Sequence, residues 1–291
     1  MIRKAVIPAA GFGTRFLPTT KAQPKEMLPI VDTPTIQFVV EEAVHSGITD
    51  ILMVTGRGKS AIENHFDRTF ELEAALAESG KTEQLKQVRS LAEMADIHYI
   101  RQKELRGLGD AVSHARQHVG GESFVVLLGD TVLEAQLPCT RQLIDIHNRL
   151  GGVVLAVEEV PADKVDRYGI VAGEEVEPDL WKVSDLVEKP SKSEAPSRLA
   201  IAGRYVLPPE VFPAIDGTGA GKLGEIQITD AIRELVGQVP VHAFRFEGRR
   251  HDIGSRIDYL KCIVEFAARR SDVGPEFREF LEEFVARAGE S

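Results

Sequence analysis

Cysteine is almost missing from this chain. Only Cys139 and Cys262 occur in 291 residues, without metal-ligand spacing and too few for a disulfide framework. A reducing cytoplasm is the expected setting. No apolar run approaches the length of a membrane span, and the opening MIRKAVIPAAG has too short an apolar stretch for a secretory signal. Positive charge is also scarce: 35 Lys and Arg stand against 45 Asp and Glu, a net charge of −10. That argues against nucleic acid as a partner, because such binding rests on a basic surface. It leaves an anionic small substrate open, since a few local cations decide a pocket. Repeats and low-complexity tracts are lacking, and no Ser/His/Asp or Cys/His arrangement points to a covalent nucleophile.

What is present begins at Lys4–Ile7, a short apolar run that reads as a buried strand. It feeds Pro8-Ala-Ala-Gly-Phe-Gly-Thr-Arg-Phe-Leu-Pro-Thr-Thr-Lys-Ala-Gln-Pro-Lys25. Gly11 and Gly13 let backbone N–H groups approach a ligand closely. Arg15 offers a planar fork for phosphate oxygens, and Lys25 a mobile point charge. Together these residues predict a phosphate-binding loop. Two better-known phosphate motifs do not fit. A dinucleotide fingerprint needs Gly or Ala where Phe16 stands, and a Walker loop ending in Gly58-Lys59-Ser60 needs glycine where Met53 stands. Gly58-Lys59-Ser60 reads instead as a helix start, with Ser60 as cap and Lys59 solvated.

The first half alternates strand and helix. Strands are expected at 4–7, 51–55, 98–101 and 124–128. Helices are expected at 35–46, from 59, and at 110–118, with a charged helical stretch at 70–94 covering an edge or forming a hairpin. This βα alternation predicts a mainly parallel central sheet with helices on both faces. The second half turns β-rich at 153–157, 168–172, 182–188 and 199–206, as an insertion in one sheet. Helices return at 225–235 and 255–268. A final amphipathic helix at 276–286 carries Phe277, Phe280, Leu281 and Phe284 on one stripe. It is expected to pack on its own domain, with another subunit as the second choice. The 43% hydrophobic and 27% charged fractions are ordinary for a folded chain with a sizeable core.

Several strand ends carry chemistry. Asp130, in Leu127-Leu-Gly-Asp-Thr131, lies where an open parallel sheet binds ligands. A carboxylate among phosphates suits Mg²⁺; the plainer reading is a turn or cap. Glu188-Lys189-Pro190 ends another strand, with Lys189 suited to a second phosphate and Glu188 to sugar hydroxyls; an exposed ion pair is the alternative. Tyr168-Gly169 and Gly203-Arg204-Tyr205 offer close backbone approach, or simple turns. Asp252, in His251-Asp252-Ile253-Gly254, reads as a helix cap or a second metal ligand. His114 and His118 have zinc-like spacing but lack a third ligand, and read as surface or packing residues.

The loop AAGFGTRFLPTTKAQPKEMLP resembles the signature of the sugar-1-phosphate nucleotidyltransferase superfamily. VVEEAVHSGITDILMVT, IENHFD, IRQKELRGLGDAV, VVEKP, AIAGRYVL, EIQITDAI and HDIG follow in order. They are similar to the bacterial UTP–glucose-1-phosphate uridylyltransferase branch over nearly the whole chain. The resemblance implies a Rossmann-like three-layer α/β/α fold of the glycosyltransferase-A type, with Mg²⁺ and a homo-oligomer, dimer or tetramer. Residues 1–270 would form the catalytic domain, with 151–250 as its sugar-phosphate part and 271–291 as the terminal helix. The substrates implied are UTP and glucose 1-phosphate, the products UDP-glucose and diphosphate. By motif position, Ala9, Ala10, Gly11, Gly13 and Thr14 would line the nucleotide, and Gln102 and Gly107 would read the uracil edge. Arg15 and Lys25 would hold the triphosphate. Gly169, Glu188, Lys189 and Gly203 would surround the glucosyl phosphate, and Asp130 and Asp252 would bind metal. Arg15, Lys25, Asp130 and Lys189 would be catalytic. Many members have Leu-Pro-Asp where this chain has Leu128-Gly129-Asp130, while thymidylyltransferase relatives more often carry the glycine. The base therefore stays open between UTP and dTTP, and a catalytically weak regulatory paralogue is the rival of another class.

Overall fold

The computed structural model describes residues 2–221 and 224–289; Met1, residues 222–223 and residues 290–291 of the spans above lie outside them. A nine-stranded sheet runs in the order Asp96–Arg101, Asp50–Thr55, Lys4–Ala9, Phe124–Leu127, Leu199–Leu207, Val153–Glu159, Val241–Arg245, Leu180–Glu188, Gly169–Glu177. Followed through its ladders, Leu180–Glu188 and Leu199–Leu207 oppose the direction shared by the other seven strands. The β-rich second half is not a separate lobe. Its strands extend the same sheet, and an extra pairing of Ala200 with Ile170 ties the far edge back towards the centre.

Both faces of the sheet are buried, which is why the first strands read as unbroken apolar runs. Val6, Leu52 and Val126 face one way, packed under helices Leu108–Ser113, Val211–Gly217 and Ile228–Leu235. Ala5, Ile7, Ile51, Met53, Val125 and Leu127 face the other, under Thr35–His45, Ser60–Phe66 and Cys139–Leu150. The result is three layers. Burying each aliphatic side chain contributes about 1.5–3 kcal/mol, so the sheet centre is a stiff platform for the loops at its edge.

Strands Lys4–Ala9, Asp50–Thr55, Asp96–Arg101 and Phe124–Leu127 are mutually parallel, so the loops that follow them emerge at one edge. A two-stranded antiparallel ribbon, Thr131–Glu134 with Arg249–Asp252, brings the distant HDIG segment there, with Asp252 opposite Thr131. The stretch 70–94 forms two helices, Phe70–Glu78 and Thr82–Ala92, joined as a hairpin by Glu73, which takes both Arg68 and Arg89. The stretch 110–118 divides into Leu108–Ser113 and Arg116–Val119. The last helix, Gly274–Gly289, covers only part of its stripe: Phe280 and Phe284 are about half exposed.

Candidate active site

The glycine loop is built as a cradle around Lys25. Gly13 has φ of 65°, and a Cβ there would come within 2.9 Å of Lys25 Cβ. That left-handed geometry turns the chain into a short 3₁₀ turn at Thr14–Phe16. Thr20 Oγ1 donates to the Gly13 carbonyl at 2.8 Å and closes the loop. A Cβ on Gly11 would lie 3.7 Å from Lys25 Nζ, so this glycine borders the ammonium directly. Ala9 and Ala10 are buried beside it. Phe16, the residue that breaks the dinucleotide fingerprint, packs edge-on against Tyr259 at 5.5 Å between ring centres.

Lys25 Nζ donates to Asp130 Oδ2 at 2.5 Å, across 105 residues of sequence. The strand end and the glycine loop therefore meet. Burial pulls the Lys25 pKa down, but Asp130 and then Glu26 outweigh it and the ammonium is held above its ordinary value. Burial works the other way on Asp130, and the Lys25 charge and hydrogen bond prevail, holding the carboxyl below its usual range. Each keeps the other charged.

Asp252 sits in the adjoining ribbon. Its Oδ2 accepts from Tyr168 O–H at 2.7 Å and from Arg167 at 3.2 Å, and its Oδ1 accepts from the Gly254 N–H at 2.9 Å. Asp252 does not cap the helix Arg256–Arg269; Ser255 does, accepting from the Asp258 N–H. Arg15 donates to the Gly254 carbonyl at 3.1 Å, while Arg256 donates to the Arg15 carbonyl at 3.0 Å. Arg15 thus stands at the junction of the glycine loop and HDIG.

Gln102 follows the strand Asp96–Arg101 and is buried. Its amide NH₂ donates to Asp110 at 2.7 Å and to the Gly107 carbonyl at 3.3 Å. The amide oxygen is left as an acceptor, the complement of a pyrimidine N3–H. Gly107 has φ of 103°, and a Cβ there would be 2.6 Å from the Ile226 carbonyl oxygen. Only glycine permits this approach.

Gly169 lies opposite Glu188 in the ladder, and its missing Cβ would touch Ile201, Thr229 and Glu188 at 3.0–3.1 Å. Glu188 accepts from Thr229 Oγ1 at 2.7 Å and pairs with Lys189 at 3.1 Å. Lys189 has φ of 44°, and its N–H donates to the Tyr168 carbonyl. Gly203, at φ of 78°, lies where the pairing with Val153–Glu159 shifts register, and a Cβ there would come within 3.1 Å of the Leu128 side chain. Lys189 is tied by its N–H to the Tyr168 carbonyl, Tyr168 donates its O–H to Asp252, and Asp252 stands opposite Thr131, the residue after Asp130. Among the described residues no cluster of three or more His, Cys, Asp and Glu is arranged to hold a metal. Asp130 and Asp252 are two carboxylates at one ribbon end, the number that suffices when phosphates complete the sphere.

The nucleotidyl transferase family matches residues 4–269. The chain belongs to that family. It is 50% identical over 286 residues to the UTP–glucose-1-phosphate uridylyltransferase YngB of Bacillus subtilis, covering 98% of this chain and 96% of that protein. A second UTP–glucose-1-phosphate uridylyltransferase of Bacillus subtilis is also 50% identical, over 97% of this chain and 96% of its own length. Among solved structures, a UDP-glucose pyrophosphorylase complexed with UDP-glucose superposes with a TM-score of 0.86 at 39% identity, covering 93% of this chain and 100% of that one. A UTP-bound UGPase from Acinetobacter baumannii gives 0.89 at 40% identity, covering 97% and 99%.

Within this nucleotidyl transferase, sequence reasoning missed the supports beneath the site. Lys59 is not solvated; it is buried against Glu26 at 2.7 Å. Ser60 is the first residue of the helix Ser60–Phe66 and Lys59 holds the cap position, which has no side-chain hydrogen bond. Arg204 is fully buried and donates to Glu42, and also to the Thr131 carbonyl at 2.8 Å. It steadies the loop that carries Asp130. A signal existed: a charge inside an apolar strand or helix, as in AIAGRYVL and VVEEAV, demands a buried partner. A Cβ on Gly129 would lie only 3.2–3.3 Å from Ile36, Glu26 and the Pro8 carbonyl oxygen, a tight fit that favours glycine. His118 pairs with Asp50, and His114 Nδ1 lies 2.8 Å from the carbonyl of Asp110, whose carboxylate takes the Gln102 amide.

Proposed function

We propose that this chain joins UTP to α-D-glucose 1-phosphate, giving UDP-glucose and diphosphate. A phosphate oxygen of the sugar attacks the α-phosphorus of UTP in line. The new P–O bond forms as the bond to the diphosphate breaks, and the electron pair leaves with diphosphate. The nucleophile is already an anion, so no general base is required. The obstacle is repulsion: each pair of like unit charges about 4 Å apart costs about 4 kcal/mol at an effective dielectric near 20. Catalysis is therefore positioning and charge neutralisation.

Lys25 and Arg15 hold the triphosphate, and Lys189 places the sugar phosphate. Glu188, oriented by Thr229, accepts from sugar hydroxyls beside Gly169 and Gly203. Ala9, Ala10, Gly11, Gly13 and Thr14 contact the nucleotide through backbone, and Gln102 with Gly107 reads the base. Asp130 and Asp252 would hold Mg²⁺, and when bound it would supply positive charge to offset the phosphates' mutual repulsion. The observation that carries the reading is the contact of Lys25 with Asp130, which makes one site from the cationic loop and the strand-end carboxylate. Diphosphate release across UTP, dTTP and several sugar 1-phosphates, with and without Mg²⁺, tests it. Activity with UTP and glucose 1-phosphate that needs the metal supports the reading; turnover of dTTP alone, or of neither, overturns it.

The same reading includes a homo-oligomer in a reducing cytoplasm. Ile257 and Leu260 on one helix, and Phe280, Phe284 and Val285 on the last, are exposed apolar side chains that a second copy would cover. Both cysteines are free and buried. Light scattering on the purified chain distinguishes a dimer or tetramer from a monomer.

A further inference from the structure

Lys59 and Glu26 form an ion pair whose side chains are only 7% and 1% exposed. Such a pair is costly to bury and contributes little net stability, but removing one partner strands the other. Its position gives it a role. Glu26 directly follows Lys25, and its side chain packs where a Cβ on Gly129 would be 3.3 Å away, next to Asp130. Lys59 arrives from the loop after Asp50–Thr55, whose Gly56 lies so close to the first loop that a Cβ would come within 2.8 Å of the Ala10 carbonyl oxygen. Four charges thus alternate in sign, Lys59, Glu26, Lys25 and Asp130, with contacts of 2.7 and 2.5 Å at the two ends.

The centre of this array is contested. Asp130 is the direct partner of Lys25, and the nearby Glu26 charge also favours the ammonium; burial raises the Glu26 carboxyl above its ordinary value, against the pull of Lys25 and Lys59. To grip a triphosphate, Lys25 must exchange Asp130 for phosphate oxygens. An unoccupied Glu26 would offer it a buried anion on the wrong side.

We propose that Lys59 is a positioning residue for nucleotidyl transfer: by occupying the Glu26 carboxylate, it leaves the Lys25 ammonium available to the phosphates. The inference rests on the reading of Lys25 as a triphosphate-holding group. Lys59 touches no reacting atom and acts through Glu26.

The test measures diphosphate binding by calorimetry without added metal, alongside kcat and both KM values. Lys59→Met weakens diphosphate binding about tenfold, equivalent to about 1.4 kcal/mol. It lowers kcat by on the order of 10²-fold, the scale of a misplaced catalytic group, with the KM for glucose 1-phosphate little changed. Adding Glu26→Gln removes the competing anion and restores diphosphate affinity and kcat together. Unchanged diphosphate affinity in Lys59→Met, or no recovery in the double variant, overturns the proposal. Should Lys59→Met fail to fold, Lys59→Arg and the double variant decide: both bind diphosphate as the parent does, and a loss in either refutes it. Lys25→Ala separates the two levels. If that variant binds diphosphate normally, the reading of Lys25 falls and this one with it. If Lys25→Ala loses binding while Lys59→Met keeps it, only the role of Lys59 is overturned.

Discussion

Replacing Asp130 by asparagine keeps the side chain's shape and removes its charge. Two effects follow, with opposite signs. Asp130 holds Lys25 at 2.5 Å, so in the parent any triphosphate must draw the ammonium away from a carboxylate. It must also tolerate that carboxylate nearby: one like-charge pair about 4 Å apart costs about 4 kcal/mol at an effective dielectric of 20. Relief of even a third of that corresponds to about tenfold tighter binding. UTP binding without metal is therefore expected to hold or tighten in Asp130→Asn. Turnover moves the other way. Loss of a preorganised charge group at a reacting phosphorus costs on the order of 10²–10³ in kcat. Calorimetry with UTP and EDTA, beside a diphosphate-release assay at saturating Mg²⁺, reads both. Parent-like kcat, or metal-free UTP binding weakened tenfold, would refute the reasoning.

Three further outcomes are expected. Lys189→Ala raises KM for glucose 1-phosphate more than for UTP; equal losses on both substrates count against its placement. Glu73 is held down to about 2 by its hydrogen bonds from Arg68 and Arg89, so its stabilising effect is full above the ordinary carboxylate pKa and is lost as pH falls from there through about 2. Glu73→Gln should lower Tm at pH 7, and scans on both proteins should converge in strong acid; a deficit that persists there contradicts the linkage. Gly107→Ala forces a Cβ to within 2.6 Å of the Ile226 carbonyl at φ of 103°, a strain of about 1–3 kcal/mol. Chemical denaturation should register it, together with weaker UTP binding; a parent-like midpoint argues against the strain.

Residues that act through their own backbone or charge were legible in the chain. Gly11, Gly13, Arg15 and Lys25 read as close backbone approach beside fixed cations, and the structure gathers both glycines against Lys25. Asp130 and Lys189 were legible as strand-end charges. Partners were not. Nothing local says that Lys59 lies under Glu26, that Arg204 reaches Glu42 across 162 residues, or that Tyr168 orients Asp252. The direction of Leu180–Glu188 was equally hidden, because a buried strand shows the same apolar run whichever way it points.

The amino-acid order by itself determined the alternation of strands and helices, the glycine geometry and the inventory of cations and carboxylates, since these depend on neighbours along the chain. Tertiary structure alone decided which charges meet. Coulomb attraction and burial depend on distance in space, and the sheet edge brings together Lys25, Asp130 and, through the ribbon, Asp252 from segments that share no local signal.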